Sequence, residues 1–286
     1  MVNNLIVTES DLNKDNEYKE DSIDFDGDIV FSENLGVVKV RRTIKATQSI
    51  IAKTDTGIEA GLGIEAGSGI IAGLGIIAGS GIEAGSGIEA GSGIEAGSGI
   101  EAGDGIEAGS GIIAGWGIEA GSGIIAGSGI IAGSGIIAGS GIIAGLGIEA
   151  GSGIEAGWEI EAGLGIEAGS GIIAGLGIIA GSGIIAGSGI IAGLGIEAGS
   201  GIEAGWEIEA GWSVITKFEY GVKAKFISCL HLAVGFNVKE EQEICAEIRK
   251  GKVLLGKVIQ PKEMVLEDLS KRELINKVKE LEKGER

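Results

Sequence analysis

Apolar and polar positions along this chain alternate with a period of six through more than half of its length. From Gly57 to Trp212 the sequence is 26 consecutive hexads without insertion, of the form Gly-Ile-(Glu/Ile)-Ala-Gly-(Ser/Leu/Trp/Asp). The second position is always Ile, the fourth always Ala and the fifth always Gly. The first is Gly except at Glu159 and Glu207. The third is Glu 15 times and Ile 11 times, and the sixth is Ser 15 times, Leu six, Trp four and Asp once. Six is a multiple of the β-strand period of two, so Ile, Ala and the sixth residue are expected on one face and Gly, Glu/Ile and Gly on the other. An α-helix fails this pattern. Six residues advance about 600° around a helix, so Ile would drift rather than form a stripe. Two glycines per hexad would also cost a helix about 2 kcal/mol per repeat relative to Ala. A short period repeated many times points to a solenoid. The expected fold is therefore all-β: a single-chain parallel β-solenoid with Ile58, Ile64, Ile70 and their successors inside and the third position outside.

These hexads resemble the hexapeptide repeats of left-handed parallel β-helix proteins. That family places an aliphatic residue at one position and a small residue two places before it, as Ile70 and Ser68 do here. The resemblance covers about 156 of the 286 residues and implies a left-handed, three-sided coil of three hexads. Leu or Trp in ten sixth-position slots, Trp116, Trp158, Trp206 and Trp212 among them, departs from the family pattern, because bulky groups are awkward at a tight inner corner. The chain also resembles, in general pattern, uncharacterised phage and bacterial proteins built from Ile-x-Ala-Gly hexads, which brings no activity with it.

A longer repeat bears on the cross-section. Residues 129–164 and 177–212 are identical at 35 of 36 places, differing only at Leu164 and Trp212. The 48-residue offset equals four twelve-residue coils and no whole number of eighteen-residue coils, which favours a flat two-sided solenoid. The family pattern favours three sides. At about 4.8 Å per rung, the hexads would span about 40 Å with three per coil or about 60 Å with two.

The flanks read as caps, which a solenoid needs to cover its raw edges. Residues 1–34 are expected to be an acidic N-terminal arm, polar and loosely attached. Residues 35–56 form an N-terminal cap of degenerate coils: Val38, Ile44 and Ile50 already lie six apart, and two extra residues break the register before Ile58. The hexad solenoid occupies residues 57–212. In residues 213–260 the inward column is expected to continue as Val214, Tyr220, Phe226 and Leu232 and to end in one or two strands. A capping box, Ser270 to Glu273, followed by Leu274, Val278 and Leu281 at helical spacing, predicts a short C-terminal helix within residues 261–286.

Charge sharpens this picture. Of a net −19, the hexads hold 18 acids and no Lys or Arg, whereas residues 213–286 hold 15 bases and 12 acids. Third-position residues occur in runs. Glu83, Glu89, Glu95, Glu101 and Glu107 are consecutive, as are Glu149, Glu155, Glu161 and Glu167. Ile125, Ile131, Ile137 and Ile143 form one outward apolar run, and Ile173, Ile179, Ile185 and Ile191 another. The rod is expected to be banded, acidic then apolar. Stacked carboxylates repel by only about 0.8 kcal/mol per pair in water, so the acidic runs are tolerable and keep the rod soluble. Outward Ile runs, joined by Trp116, Trp158, Trp206 and Trp212, read as a surface for a protein partner or for self-association.

Little here supports chemistry. Hexapeptide β-helix proteins include acyltransferases, and the resemblance implies a histidine base at a subunit boundary. The one His, His231, lies outside the hexads among alternating apolar residues and reads as a strand residue. Gly-x-Gly at the hexad junctions, as at Gly67 to Gly69, is a corner and not a dinucleotide fingerprint, because no helix follows it. No catalytic, cofactor-binding or metal residues are assigned, and no enzyme activity is expected. Cys229 and Cys245 lack metal-site spacing and read as buried reduced thiols. The N-terminus lacks the basic start and apolar core of a secretory signal, so a cytoplasmic location is expected. Residues 120–148 and 168–196 are uncharged but one third Gly, and their pattern runs unchanged into Glu-bearing hexads, so no membrane span is expected. The composition supports a structural or interaction scaffold. It also supports an acidic decoy for a nucleic-acid-binding protein: 18 charges over 40–60 Å approach one per about 2–3 Å, against one per about 1.7 Å in duplex DNA. Direct nucleic-acid binding is not expected. Ice or mineral binding is disfavoured by the absence of Thr from the hexads and by the Glu-rich surface.

Overall fold

The computed structural model of the chain describes residues 3–217, 221–235 and 242–259. These form a parallel β-solenoid of about 13 turns, with one 3-10 turn at Glu9–Asp11 as the only helical element among the described residues. Each hexad contributes a short strand built on Ile-(Glu/Ile)-Ala, three residues long in most hexads, and the intervening Gly-x-Gly forms a corner. Each strand pairs with the third strand before it and the third after. Ile82 registers with Ile64 and Ile100, and Ala84 with Ala66 and Ala102. The coil therefore contains 18 residues. The twelve-residue coil suggested by the 48-residue duplication does not occur. Eight hexads are two and two-thirds turns, so the second copy begins on a different strand column from the first. Duplication needs only the hexad register, because every column accepts the same hexad.

Hydrogen bonds between turns use corners as well as strands. Ile76 N donates to the Gly93 carbonyl at 3.0 Å, Gly79 N to the Ala60 carbonyl at 2.9 Å, and Ser80 N to the Leu62 carbonyl at 2.9 Å. The core is a stack of Ile and Ala side chains that are essentially solvent-free from Val38 to Val214. Burying an Ile side chain stabilises by about 1.5–3 kcal/mol, so the 26 repeated Ile residues drive the fold.

One expected face is corrected. Sixth-position residues do not share the interior with Ile and Ala: Trp116 is 69% exposed and Trp158 64%. Strict alternation holds only inside a three-residue strand. The corner resets it and turns the sixth side chain outward, so Leu and Trp are accommodated there without entering the core.

The turn lengthens toward the N-terminus. Ile44 registers with Ile64 over 20 residues and Ile23 with Ile44 over 21. The two-residue insertion before Ile58 is absorbed at Lys53–Thr56, where Thr56 N donates to the Lys53 carbonyl and Asp55 takes φ 55°. Where composition suggested a loose acidic arm, the chain instead builds the first turns. Strand Asn4–Val7 pairs with Asp28–Phe31, which pairs with Ile50–Ala52, and Ile29 and Phe31 are fully buried. Three apolar in-facing residues, Ile23, Ile29 and Phe31, outweigh the polar composition of this stretch.

Toward the C-terminus the inward column includes Val214 and Leu232 as expected, with Val222 and Ile227 between them, and Phe226 is not part of it. The corner-forming glycines are lost after Gly221, and the chain runs as one long strand, Val222–Ala233, against three successive strands of the preceding turn. Phe226 is left half-buried outside, where its ring meets Trp206 edge-on at 5.6 Å. Tyr220 lies outside the described residues. Strands Glu243–Leu255 and Lys257–Ile259 complete the stack. The expected C-terminal helix falls within residues 260–286, outside the described residues.

Candidate interaction surface

The 18-residue register decides which exposed side chains are neighbours. Residues in consecutive hexads stand on successive strand columns, and stacked neighbours are 18 apart. The runs expected as bands are therefore wound around the rod. Of the five consecutive glutamates, Glu83 and Glu101 share one column, Glu89 and Glu107 a second, and Glu95 lies on the third. Ile125 stacks on Ile143, whereas Ile131 and Ile137 stand on the other two columns beside Ile113 and Glu119. Among the second set, Ile173 stacks on Ile191, while Ile179 and Ile185 are separate. Glu149 stacks on Glu167, and Glu155 and Glu161 each precede an Ile, at 173 and 179. All eight Ile side chains point outward, between 36% and 47% exposed.

Two continuous features emerge. The first is an acidic ladder, Glu65, Glu83, Glu101 and Glu119, four carboxylates on successive turns. Lys45 sits at its head, 2.7 Å from Glu65, with Asp24 on its other side. The hydrogen bond and charge of Glu65, aided by Asp24 and Glu83, hold the Lys45 ammonium above the ordinary lysine range. A groove of about 610 Å³ runs beside the ladder, floored by Gly63, Gly81, Gly99 and Gly117 and flanked by Trp116. It collects carboxylates and one ammonium. Glu65 and Glu119 belong to this ladder although the sequence runs do not contain them. A period of eighteen laid over the hexads would have found them.

The second feature is an apolar ridge: the corner residues Trp158, Leu176, Leu194 and Trp212, continued by Leu230 on strand Val222–Ala233. Backbone bonds lock them one above another. Leu176 N donates to the Trp158 carbonyl, Leu194 N to Leu176 and Trp212 N to Leu194, each at 2.7 Å, and Leu230 N to Trp212 at 3.0 Å. Each side chain is exposed, from 40% at Leu230 to 64% at Trp158. Ile173 and Ile191 precede Leu176 and Leu194 along the chain and widen the ridge. Trp116 and Trp206 stand on a different corner, separated there by serines 134, 152, 170 and 188. Trp206 packs instead with the cap, its ring 4.1 Å from the Lys225 ammonium, while the Arg249 guanidinium covers Phe226 at 3.3 Å.

Opposite charges meet across adjacent turns at both ends of the acidic hexads. Lys39 pairs with Glu59 at 3.6 Å, Lys223 with Glu203 at 2.5 Å, and Lys217 with Glu197. His231 is half-buried in strand Val222–Ala233, its ring 5.7 Å from Trp212. Both cysteines are free. Cys229 is buried and Cys245 half-buried, so only the first fits the expectation of a buried thiol, and burial pushes the Cys229 thiol upward. Among the described residues, no cluster of three or more His, Cys, Asp or Glu is arranged to hold a metal ion, and no helix is long and apolar enough to cross a membrane. Comparison with protein-family models, with curated proteins and with solved structures returned no match.

Proposed function

We propose that the protein is a non-enzymatic interaction scaffold: a left-handed, three-sided β-solenoid that offers the Trp158–Leu230 ridge to a protein partner. The five-turn ridge carries this reading. Fifteen of the 26 hexads place Ser at the corner, so Leu and Trp are not required by the fold there. Exposed apolar side chains stacked over about 20 Å are costly to leave in water and are characteristic of a contact surface. The outward Ile residues extend that surface, and the acidic ladders keep the rod soluble and space it from other acidic molecules. The rod then works in the cytoplasm as a rigid display, without cofactor, membrane or nucleic acid.

The test replaces Trp158, Leu176, Leu194 and Trp212 together by Ser, the residue native to most corners. Affinity capture and light scattering should show a stoichiometric complex with the unaltered chain and none with the variant, at equal melting temperature. Equal behaviour of the two chains overturns the reading.

The Glu65–Glu119 ladder supports a second reading, an acidic decoy that occupies the basic groove of a nucleic-acid-binding protein. Such binding weakens steeply with salt, and Glu83→Gln with Glu101→Gln would weaken it further. Salt-insensitive binding to basic partners counts against it.

A further inference from the structure

The two ends of the solenoid carry opposite charge and, among the described residues, unpaired strand edges. At the N-terminal end, Asn4–Val7 pairs only with Asp28–Phe31 among the described residues, and Ile6 on that strand is 59% exposed. Ten Asp or Glu face two Lys between Asn3 and Asn34. At the C-terminal end, Glu243–Leu255 pairs along one side with Val222–Ala233. On its other side, among the described residues, only Glu243–Cys245 is paired, with Lys257–Ile259. Among the described residues the stretch from Ala246 to Leu255 has no partner on that side, and Lys250, Lys252, Leu254 and Leu255 on it are exposed. The three strands of this end carry six Lys or Arg against two Glu.

We infer that the C-terminal edge of one chain docks on the N-terminal edge of a second copy, head to tail and in the same strand direction. Three observations converge on a second copy as the occupant. Every strand of the solenoid already pairs in parallel with an equivalent strand one turn away, so a strand from a further copy meets the geometry this backbone is built for. The net charges of the two ends are opposite, and the chain itself places Lys one turn from Glu at each end of its hexads, as in Lys45–Glu65 and Lys223–Glu203. The exposed apolar residues, Ile6 at one edge and Leu254 and Leu255 at the other, lie on the strands that would meet. Such a contact is heterologous and does not close, so it generates an open linear series rather than a defined dimer. It goes beyond the side-wall scaffold and does not depend on the ridge.

Sedimentation velocity of the full chain, over a concentration series at low and high salt, tests this. The expected result is concentration-dependent elongated species that shorten in high salt. Lys250→Glu with Lys252→Glu takes the C-terminal strands from four net positive charges to none, and Glu9→Lys with Glu20→Lys halves the net negative charge of residues 3–34 from eight to four. Each double variant should weaken self-association about tenfold or more, the effect of two surface pairs turned repulsive. Mixing the two variants should restore one contact, the unaltered C-terminal edge of the Glu9/Glu20 variant on the unaltered N-terminal edge of the Lys250/Lys252 variant, and so give a mixed pair. A second measurement guards against misfolding: both variants should melt as the unaltered chain does. Three results overturn the inference. One is a monomer at every concentration with the amides of residues 246–255 protected from hydrogen exchange, which places a segment of the same chain over the edge. Another is association unchanged by either end variant but lost in the four-Ser corner variant, which places the contact on the side wall and leaves the scaffold reading intact. The last is failure of the mixed variants to associate.

Discussion

Gly79 lies over Gly61 so closely that a Cβ on Gly79 would stand 2.2 Å from the Gly61 carbonyl oxygen. The same approach recurs at the fifth position of hexad after hexad, for instance Gly97 over Gly79 at 2.2 Å and Gly121 over Gly103 at 2.0 Å. The first position is looser: a Cβ on Gly117 would be 3.5 Å from the Gly135 carbonyl oxygen. This difference explains why the fifth position never departs from Gly while Glu159 and Glu207 occupy the first. Gly79→Ala should therefore destabilise by about 1–3 kcal/mol, the range for overpacking, because backbone would have to move. Gly117→Ala should stay within about 0.5 kcal/mol of the unaltered chain. Urea unfolding of the two variants checks the contrast, and equal effects would refute it.

Adjacent residues on one strand answer to opposite environments. Ile136 is fully buried and Ile137 points outward. Ile136→Ala should cost about 2–5 kcal/mol through lost burial and a cavity. Ile137→Glu extends the acidic column from Glu119 to Glu155 and should leave the fold intact with little loss of stability. The pair separates core from surface without ambiguity, and a large loss in Ile137→Glu would mean that the outward Ile is covered in the native assembly.

Much of this architecture is legible in the hexad alone. The identity of strands, the buried Ile-Ala stack and the outward third position all follow from six being a multiple of the two-residue pleat. The number of hexads per coil does not follow, since every column accepts the same hexad and the 48-residue duplication is blind to the turn length. That gap hides the neighbour relations. Glu65 to Glu119 and Trp158 to Trp212 become continuous only once residues 18 apart are stacked. Sixth-position side chains were misplaced for a different reason, because alternation was carried through a corner that resets it. The N-terminal turns were obscured because three apolar anchors, Ile23, Ile29 and Phe31, are spread among ten acids.

Burial of Cys229 and partial exposure of Cys245 give a pH-dependent contrast. A thiol whose value is raised by burial is held neutral in the folded chain. Its contribution to stability is complete below the ordinary thiol range and is lost as pH rises through the higher folded value. Melting temperature should fall above about pH 9 more in the unaltered chain than in Cys229→Ala measured relative to its own neutral-pH value. At mildly alkaline pH a thiol reagent should label Cys245 first, and Cys229 should react only on unfolding. Equal labelling rates would contradict the burial.

All four tryptophans lie on corners, and their environments differ in a way fluorescence can read. Trp116 has serines one turn away on both sides, Ser98 and Ser134, and is the most exposed. Trp206 is held by Phe226 and Lys225 at the cap. A chain retaining only Trp116, with Ser at the other three corners, should emit as a solvated indole and be quenched freely by acrylamide. A chain retaining only Trp206 should be quenched less, and Phe226→Ala should raise its quenching toward that of Trp116. An inward sixth position predicts the reverse for Trp116: blue-shifted emission, weak quenching and loss of stability on replacement by Ser. Corner serines throughout the hexads make that loss unexpected, since Trp116→Ser restores the commonest residue at a site whose backbone, bonded from Trp116 N to the Ser98 carbonyl at 3.1 Å, does not depend on the side chain.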